Sequence, residues 1–180
     1  MTRKQRSRAK AVNFGIIYGQ GAFGLARGLG ITRAEAAKFI DEYKERYPGI
    51  TGFMETCVSE AEKNGFVTTM LGRRRPISEI HSNNRNLRAL GERLAINTVV
   101  QGSAADMIKQ AMVNLHERID REELDMRLLI QVHDELVLDA PLEKVEEYSE
   151  IVRQEMAGAI ELAVPGKVDV AWGKNWLESK

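Results

Sequence analysis

Four side chains set four residues apart, Arg6, Lys10, Phe14 and Tyr18, commit the start of this chain to a helix. Each step of four advances about 40° around a helix of 3.6 residues per turn, so together they form one winding stripe roughly 18 Å long. Two cations come first and two aromatics follow. That length suits a nucleoside triphosphate: Arg and Lys match phosphate oxygens, and aromatic rings match a base or sugar face. An ordinary amphipathic helix, with a basic solvent face and aromatics turned to a core, would carry the same pattern. Gly15 and Gly19 favour the nucleotide reading, because each weakens a helix by up to about 1 kcal/mol relative to Ala and suits a close approach to the backbone.

Cap signals mark the elements that follow. Thr2 with Gln5, and Thr32 with Glu35, read as capping boxes, so one helix is expected from Arg3 to about Gly19 and another from after Thr32 to before Pro48-Gly49. The glycine-rich stretch between them, Gly19 to Gly30, reads as a turn or broken helix. A further helix is expected from about Ile50 to Asn64-Gly65, then a short strand over Phe66 to Met70 and a basic turn, Leu71-Gly72-Arg73-Arg74-Arg75. That turn could touch phosphate or be simply solvated. Apolar spacing through Leu87, Leu90, Leu94, Met112 and Leu115 predicts a long helix after the caps Ser82-Asn83-Asn84. Two strands, Leu128 to Val132 and Leu136 to Leu138, a helix from about Leu142 to Ala157 and a last strand over Lys167 to Ala171 complete the chain. Helices first and mixed helix and strand after make it an α+β protein of two lobes.

Composition narrows the class. With 180 residues, 43% of them hydrophobic, the chain can bury a core. No run approaches the 18 or more apolar residues of a membrane helix, and the basic start leads into no signal region, so a cytoplasmic protein is expected. The single Cys57 excludes an internal disulfide and any multi-cysteine zinc site, and reads as a small buried hydrophobe on a helix. The net charge of zero hides an asymmetry: residues 1–30 carry six cations and no acid, whereas residues 121–180 carry seven cations against fourteen acids.

Two further groups carry chemistry. In Gln131-Val132-His133-Asp134-Glu135-Leu136 the flanking strands are apolar, so a tight turn should set Asp134 and Glu135 side by side at its tip. Adjacent carboxylates repel, and a divalent cation such as Mg²⁺, which binds through one or two carboxylates and substrate phosphates, would relieve that; a plain polar turn is the alternative. His133 beside two acids is too little for zinc. On the long helix Arg93, Asn97 and Gln101 recur every four residues, a stripe able to donate to phosphates or minor-groove acceptors, or to serve as a polar surface. Gly102-Ser103-Ala104-Ala105 would keep that helix thin for close packing against the Gln131–Leu136 hairpin.

Taken together, Arg6-x3-Lys10-x3-Phe14-x3-Tyr18-Gly19, Arg93-x3-Asn97-x3-Gln101-Gly102 and Gln131-Val132-His133-Asp134-Glu135-Leu136-Val137 resemble the bacterial DNA polymerase I family, the family A DNA polymerases, from about Thr2 to Trp176. The resemblance implies a helical fingers subdomain over residues 1–84 and the C-terminal part of the palm, an antiparallel sheet with flanking helices, over 85–180. It implies that Arg6 and Lys10 bind the incoming triphosphate, that Phe14 lies against its sugar and that Tyr18 borders the nascent base pair. Arg93, Asn97, Gln101 and His133 would contact primer–template DNA. Asp134 would ligate catalytic Mg²⁺ with Glu135 in support, and Lys10 counts with these two among the catalytic groups.

The family's second catalytic aspartate sits in an earlier motif, Asp-Tyr-Ser-Gln-Ile-Glu, which residues 1–180 do not contain; thumb and first palm segment are expected to be absent. The implied activity is template-directed transfer from a dNTP to a primer 3′-hydroxyl, at a two-metal site only partly encoded here and with an upstream polymerase half as a further partner. A nucleoid location, or host cytoplasm for a phage protein, goes with it. The alternatives are a non-catalytic nucleic-acid or nucleotide-binding module and a degenerate remnant.

Overall fold

The computed structural model describes residues 2–179. The chain divides after Ser103, inside the longest helix, into two compact units. The sequence resemblance implies a subdomain boundary at 84/85.

In the first unit, α1 (Arg3–Ile17), α2 (Ala22–Leu29), α3 (Arg33–Arg46) and α4 (Pro48–Asn64) lead to a small hairpin, β1 (Phe66–Thr68) and β2 (Arg74–Pro76), a 3-10 turn (Ser78–His81) and the start of α5 (Arg85–Arg121). Both capping boxes form: the Thr2 and Thr32 hydroxyls accept from the Gln5 and Glu35 backbone N–H groups, while the Gln5 and Glu35 side chains accept from the cap residues' own N–H. The Thr32 N–H, and then its hydroxyl, hold the Glu35 carboxyl below its usual pKa.

Within Gly19–Gly30 a short turn at Gly19–Gly21 is followed by a helix, α2, over Ala22–Leu29, where glycine suggested a turn or broken helix throughout. Burial overrides propensity here, because Leu25 and Ala26 pack with Ala36 of α3 and with Val12, Ala22, Leu29, Ile31 and Ile40 around them. Gly21 and Gly30 bound the helix, the latter in the left-handed conformation. The basic turn also gains order. Arg74 and Arg75 lie in β2, which pairs antiparallel with β1 in the register Phe66↔Pro76 and Thr68↔Arg74. All three β2 residues are exposed, so no apolar alternation marked the strand in the sequence.

A second cluster joins α4, the hairpin and α5: Ala61, Val67, Ile77, Ile80 and Ala95, with Val58, Leu94 and Val99 against them. Cys57 is buried on α4, and burial pushes its thiol pKa up, which keeps it protonated and unreactive. Helix α5 touches the 3-10 turn through Gly91, where a Cβ would stand 2.8 Å from the Ile80 nitrogen and 2.9 Å from the Glu79 carbonyl carbon. Gly91→Ala is therefore expected to cost about 1–3 kcal/mol through backbone displacement. A chemical denaturation midpoint unchanged from wild type would show that the turn yields freely.

In the second unit, α5 continues and is followed by β3 (Arg127–Val132), β4 (Glu135–Asp139), a 3-10 turn (Leu142–Lys144) and α6 (Val145–Ala157). Leu115 of α5, Met126, and Tyr148, Ile151 and Val152 of α6 form the core, with Leu136 and Leu138 of β4 packed on it. Arg118 ties α5 to α6 by donating to Glu155 at 2.9 Å and Gln154 at 3.2 Å. Lys167–Ala171, expected as a last strand, is not one: among the described residues it has no ladder partner, and a strand cannot close its hydrogen bonds alone.

Candidate nucleotide and DNA interface

The α1 stripe forms as a physical ladder. Lys10 Nζ lies 5.6 Å from the centroid of the Phe14 ring. That ring stacks on Tyr18 with centroids 5.8 Å apart and planes inclined by 21°. Arg6 and Lys10 are exposed, and Phe14 keeps 46% of its surface open. Phe14, half open beside a charge, is not turned to a core, whereas Tyr18 is partly buried. Among the α1 side chains described, the buried one is Ile16.

The C-terminal end of α1 explains its glycines. The Gly19 N–H donates to the Ile16 carbonyl and the Gln20 N–H to the Gly15 carbonyl, with Gly19 at φ +73°, which is the Schellman arrangement that favours glycine. At Gly15 the space a Cβ would fill is taken by the Gln20 side chain, and at Gly19 by Arg93, whose Cγ lies 2.9 Å from that position. Close approach to this backbone comes from the chain's own side chains.

Arg93 brings in the second stripe. On α5, Arg93, Asn97 and Gln101 stand at four-residue spacing; Arg93 and Gln101 are exposed and Asn97 is partly so. Gln101 donates its side-chain amide to the Tyr18 hydroxyl, 83 residues away in sequence. Six expected residues, Lys10, Phe14, Tyr18, Arg93, Asn97 and Gln101, thus follow one another along the first unit's surface. Nearby, Arg75 donates to the buried Thr98 hydroxyl at 3.0 Å and the Arg74 guanidinium covers the Phe66 ring at 4.9 Å. Arg75 thus ties the β1–β2 hairpin to α5 and Arg74 covers the facing strand, roles that a run of three cations did not reveal. Gly102 faces Thr69 and the Ser103 hydroxyl accepts from the Met70 N–H at 2.9 Å, so Gly102 and Ser103 pack against the β1–β2 hairpin. A cavity of about 520 Å³ lies elsewhere, beside His81, Arg85 and Arg88; both stripes are open surface, which suits an extended ligand.

The second unit carries His133, Asp134 and Glu135. Val132 pairs with Glu135, leaving His133-Asp134 as a two-residue loop. His133 takes φ +53° and Asp134 does not have a positive φ, the sign pattern of a type II′ hairpin turn. The Gln131 amide braces the loop by donating to the His133 carbonyl at 2.6 Å. Asp134 sits at the tip while Glu135 is the first residue of β4, so the two carboxylates are not a side-by-side tip pair as expected: strand pairing claims the second. All three side chains are exposed. A bulge at Leu129, between the pairs Leu128↔Leu138 and Ile130↔Val137, bends β3 and leaves Leu129 and Ile130 largely exposed.

A Mg²⁺ ion asks for several oxygen ligands. Among the described residues no group of three or more His, Cys, Asp or Glu side chains could hold a metal ion, and Asp134 presents one carboxylate. A two-ion site, with ions about 4 Å apart, is more than these residues supply by themselves.

The comparisons with known proteins bear on the whole length. The chain is 53% identical over 180 residues to DNA polymerase I of Lactococcus lactis subsp. lactis (strain IL1403), covering all of this chain and 20% of that protein. It is 50% identical over the same span to DNA polymerase I of Bacillus caldotenax, again 20% of the relative. The chain thus spans about a fifth of the curated relatives it matches. Among solved structures, it resembles the POL domain of Pol1 from M. smegmatis in complex with DNA primer-template and dNTP, with a TM-score of 0.94 and 40% identity, covering 99% of this chain and 31% of that one. The family model described as DNA polymerase family A matches residues 1–178, and with the three spaced motifs standing on the elements just described, this chain belongs to the family A DNA polymerases.

Proposed function

We propose that residues 1–180 provide the nucleotide-binding and part of the DNA-binding surface of a DNA-directed DNA polymerase, with residues 1–84 as fingers and 85–180 as the C-terminal palm. The observation that carries this is the ladder Lys10, Phe14, Tyr18, Gln101, which lays cation, stacked rings and amide along one surface. In the reaction, the primer 3′-oxygen bonds to the α-phosphorus of a dNTP, the bond to the bridging oxygen breaks and pyrophosphate leaves. Arg6 and Lys10 neutralise the triphosphate, Phe14 lies against the sugar and Tyr18 borders the new base pair. Arg93, Asn97, Gln101 and His133 orient primer and template. The related Pol1 structure, a complex with DNA primer-template and dNTP, supports both partners.

Asp134 is proposed as one carboxylate of the family's Mg²⁺ site, with Glu135 supporting it and the remaining ligands lying outside residues 1–180. Among the described residues no helix is long and apolar enough to cross a membrane, which accords with a cytoplasmic, nucleoid-associated enzyme.

Since one carboxylate does not make the site, residues 1–180 alone are expected to bind primer–template DNA in a salt-sensitive way without extending it. The check is primer extension with Mg²⁺ and all four dNTPs. Robust synthesis by these residues alone would overturn the division of labour; absence of any low-salt DNA binding would overturn the interface itself.

A further inference from the structure

The side chain read as a DNA contact is engaged within the chain itself, and its partner is the side chain read as bordering the new base pair. Gln101 donates its amide to the Tyr18 hydroxyl. Eight residues earlier on the same helix, Arg93 lays its Cγ against Gly19, the residue after Tyr18, at a backbone position (φ +73°) that glycine favours. Two residues of the α5 stripe therefore grip two consecutive residues at the end of α1. Tyr18 is in turn stacked on Phe14, and Phe14 lies beneath Lys10, so the Tyr18 ring links the Gln101 amide to the nucleotide stripe.

Resting on the proposed interface, we propose that Gln101 is a positioning residue for Tyr18, and that DNA and the Tyr18 hydroxyl compete for its amide. Minor-groove acceptors and a phenol oxygen ask for the same kind of donor, and although the Gln amide has two N–H groups, both sit on one nitrogen in one plane, so turning the amide onto a groove acceptor takes it off the Tyr18 hydroxyl. With this bond closed, Gln101 holds the Tyr18 ring at the tip of α1. When a duplex takes the amide, the hydroxyl is released and the ring is held by stacking on Phe14 alone, so DNA occupancy changes how freely Tyr18 moves beside the nucleotide stripe. The DNA-competent form is the one in which this bond is open, and the bond reduces apparent DNA affinity by the fraction of molecules that hold it closed.

Tyr18→Phe separates the contributions, since it keeps the ring stack and removes the hydroxyl. It is expected to tighten binding of a labelled primer–template duplex to the 180-residue chain by about fivefold, the size of one neutral hydrogen bond lost as competitor. In a Gln101→Leu background the same substitution should change affinity by less than about twofold, because no amide remains to compete for. Near-ultraviolet circular dichroism and thermal midpoints, taken on all four proteins, guard against a folding artefact. Unchanged or weaker DNA binding by Tyr18→Phe overturns the competition, as does a gain that persists without Gln101. If the wild-type chain binds no duplex even at low salt, the interface reading fails first and takes this inference with it.

Discussion

Asp134→Asn is expected to lower nucleotidyl transfer by at least about 100-fold when residues 1–180 act together with the residues that complete the polymerase. The carboxamide keeps the size of the side chain and its oxygen, but loses the charge that draws a divalent cation. The loop should tolerate it, because Asp134 is exposed in a two-residue turn and Asn is at home in turns. Single-turnover extension, with a melting curve beside it, separates chemistry from folding. Activity within a few-fold of wild type at an unchanged melt would remove Asp134 from the metal site. The same substitution should leave nucleotide binding along α1 untouched, since the proposed triphosphate contacts, Arg6 and Lys10, stand on another element.

The second large effect concerns stability. Leu115 is fully buried among Met126, Tyr148, Ile151 and Val152, with Leu136 and Leu138 of β4 against the same cluster. Leu115→Ala should cost about 2–5 kcal/mol by lost transfer energy and a residual cavity. Against a total of roughly 5–15 kcal/mol for a domain, that is a large share. The expected result is selective: amide exchange at Tyr148 and Val152 accelerates, while exchange at Ala36, in the α2–α3 cluster of the first unit, stays slow. Equal acceleration in both units would mean that they unfold as one. The loss would reach function as well, because β4, which positions Glu135 and one end of the loop holding Asp134, rests on this core.

What could be read from the sequence was whatever local chemistry decides. Thr2 with Gln5 and Thr32 with Glu35 announced helix starts because a cap needs only three residues to close. The β3–β4 hairpin was legible because apolar runs flank a polar pair. Where tertiary contact decides, the sequence was silent or misleading. Helix α2 looked like a glycine break until Leu25 and Ala26 found Ala36. Strand β2 carries no apolar residue on a buried face, only a ladder to β1. Residues 167–171 were expected as a strand and have no ladder partner among the described residues. At the candidate site the spacing within each stripe was visible, but the joining of Tyr18 to Gln101 across 83 residues was not, since no local pattern encodes which surface amide meets which hydroxyl.

The positive φ at His133 bears on how a mutational scan of the hairpin tip should be read. Alanine there removes the imidazole and keeps the unfavourable backbone, whereas glycine removes the imidazole and relieves the backbone, by roughly 1 kcal/mol. The two substitutions delete the same side-chain contacts, so the difference between them isolates what the turn itself contributes. A scan by alanine alone would charge both effects to the side chain and overstate the imidazole's share in the proposed DNA contact.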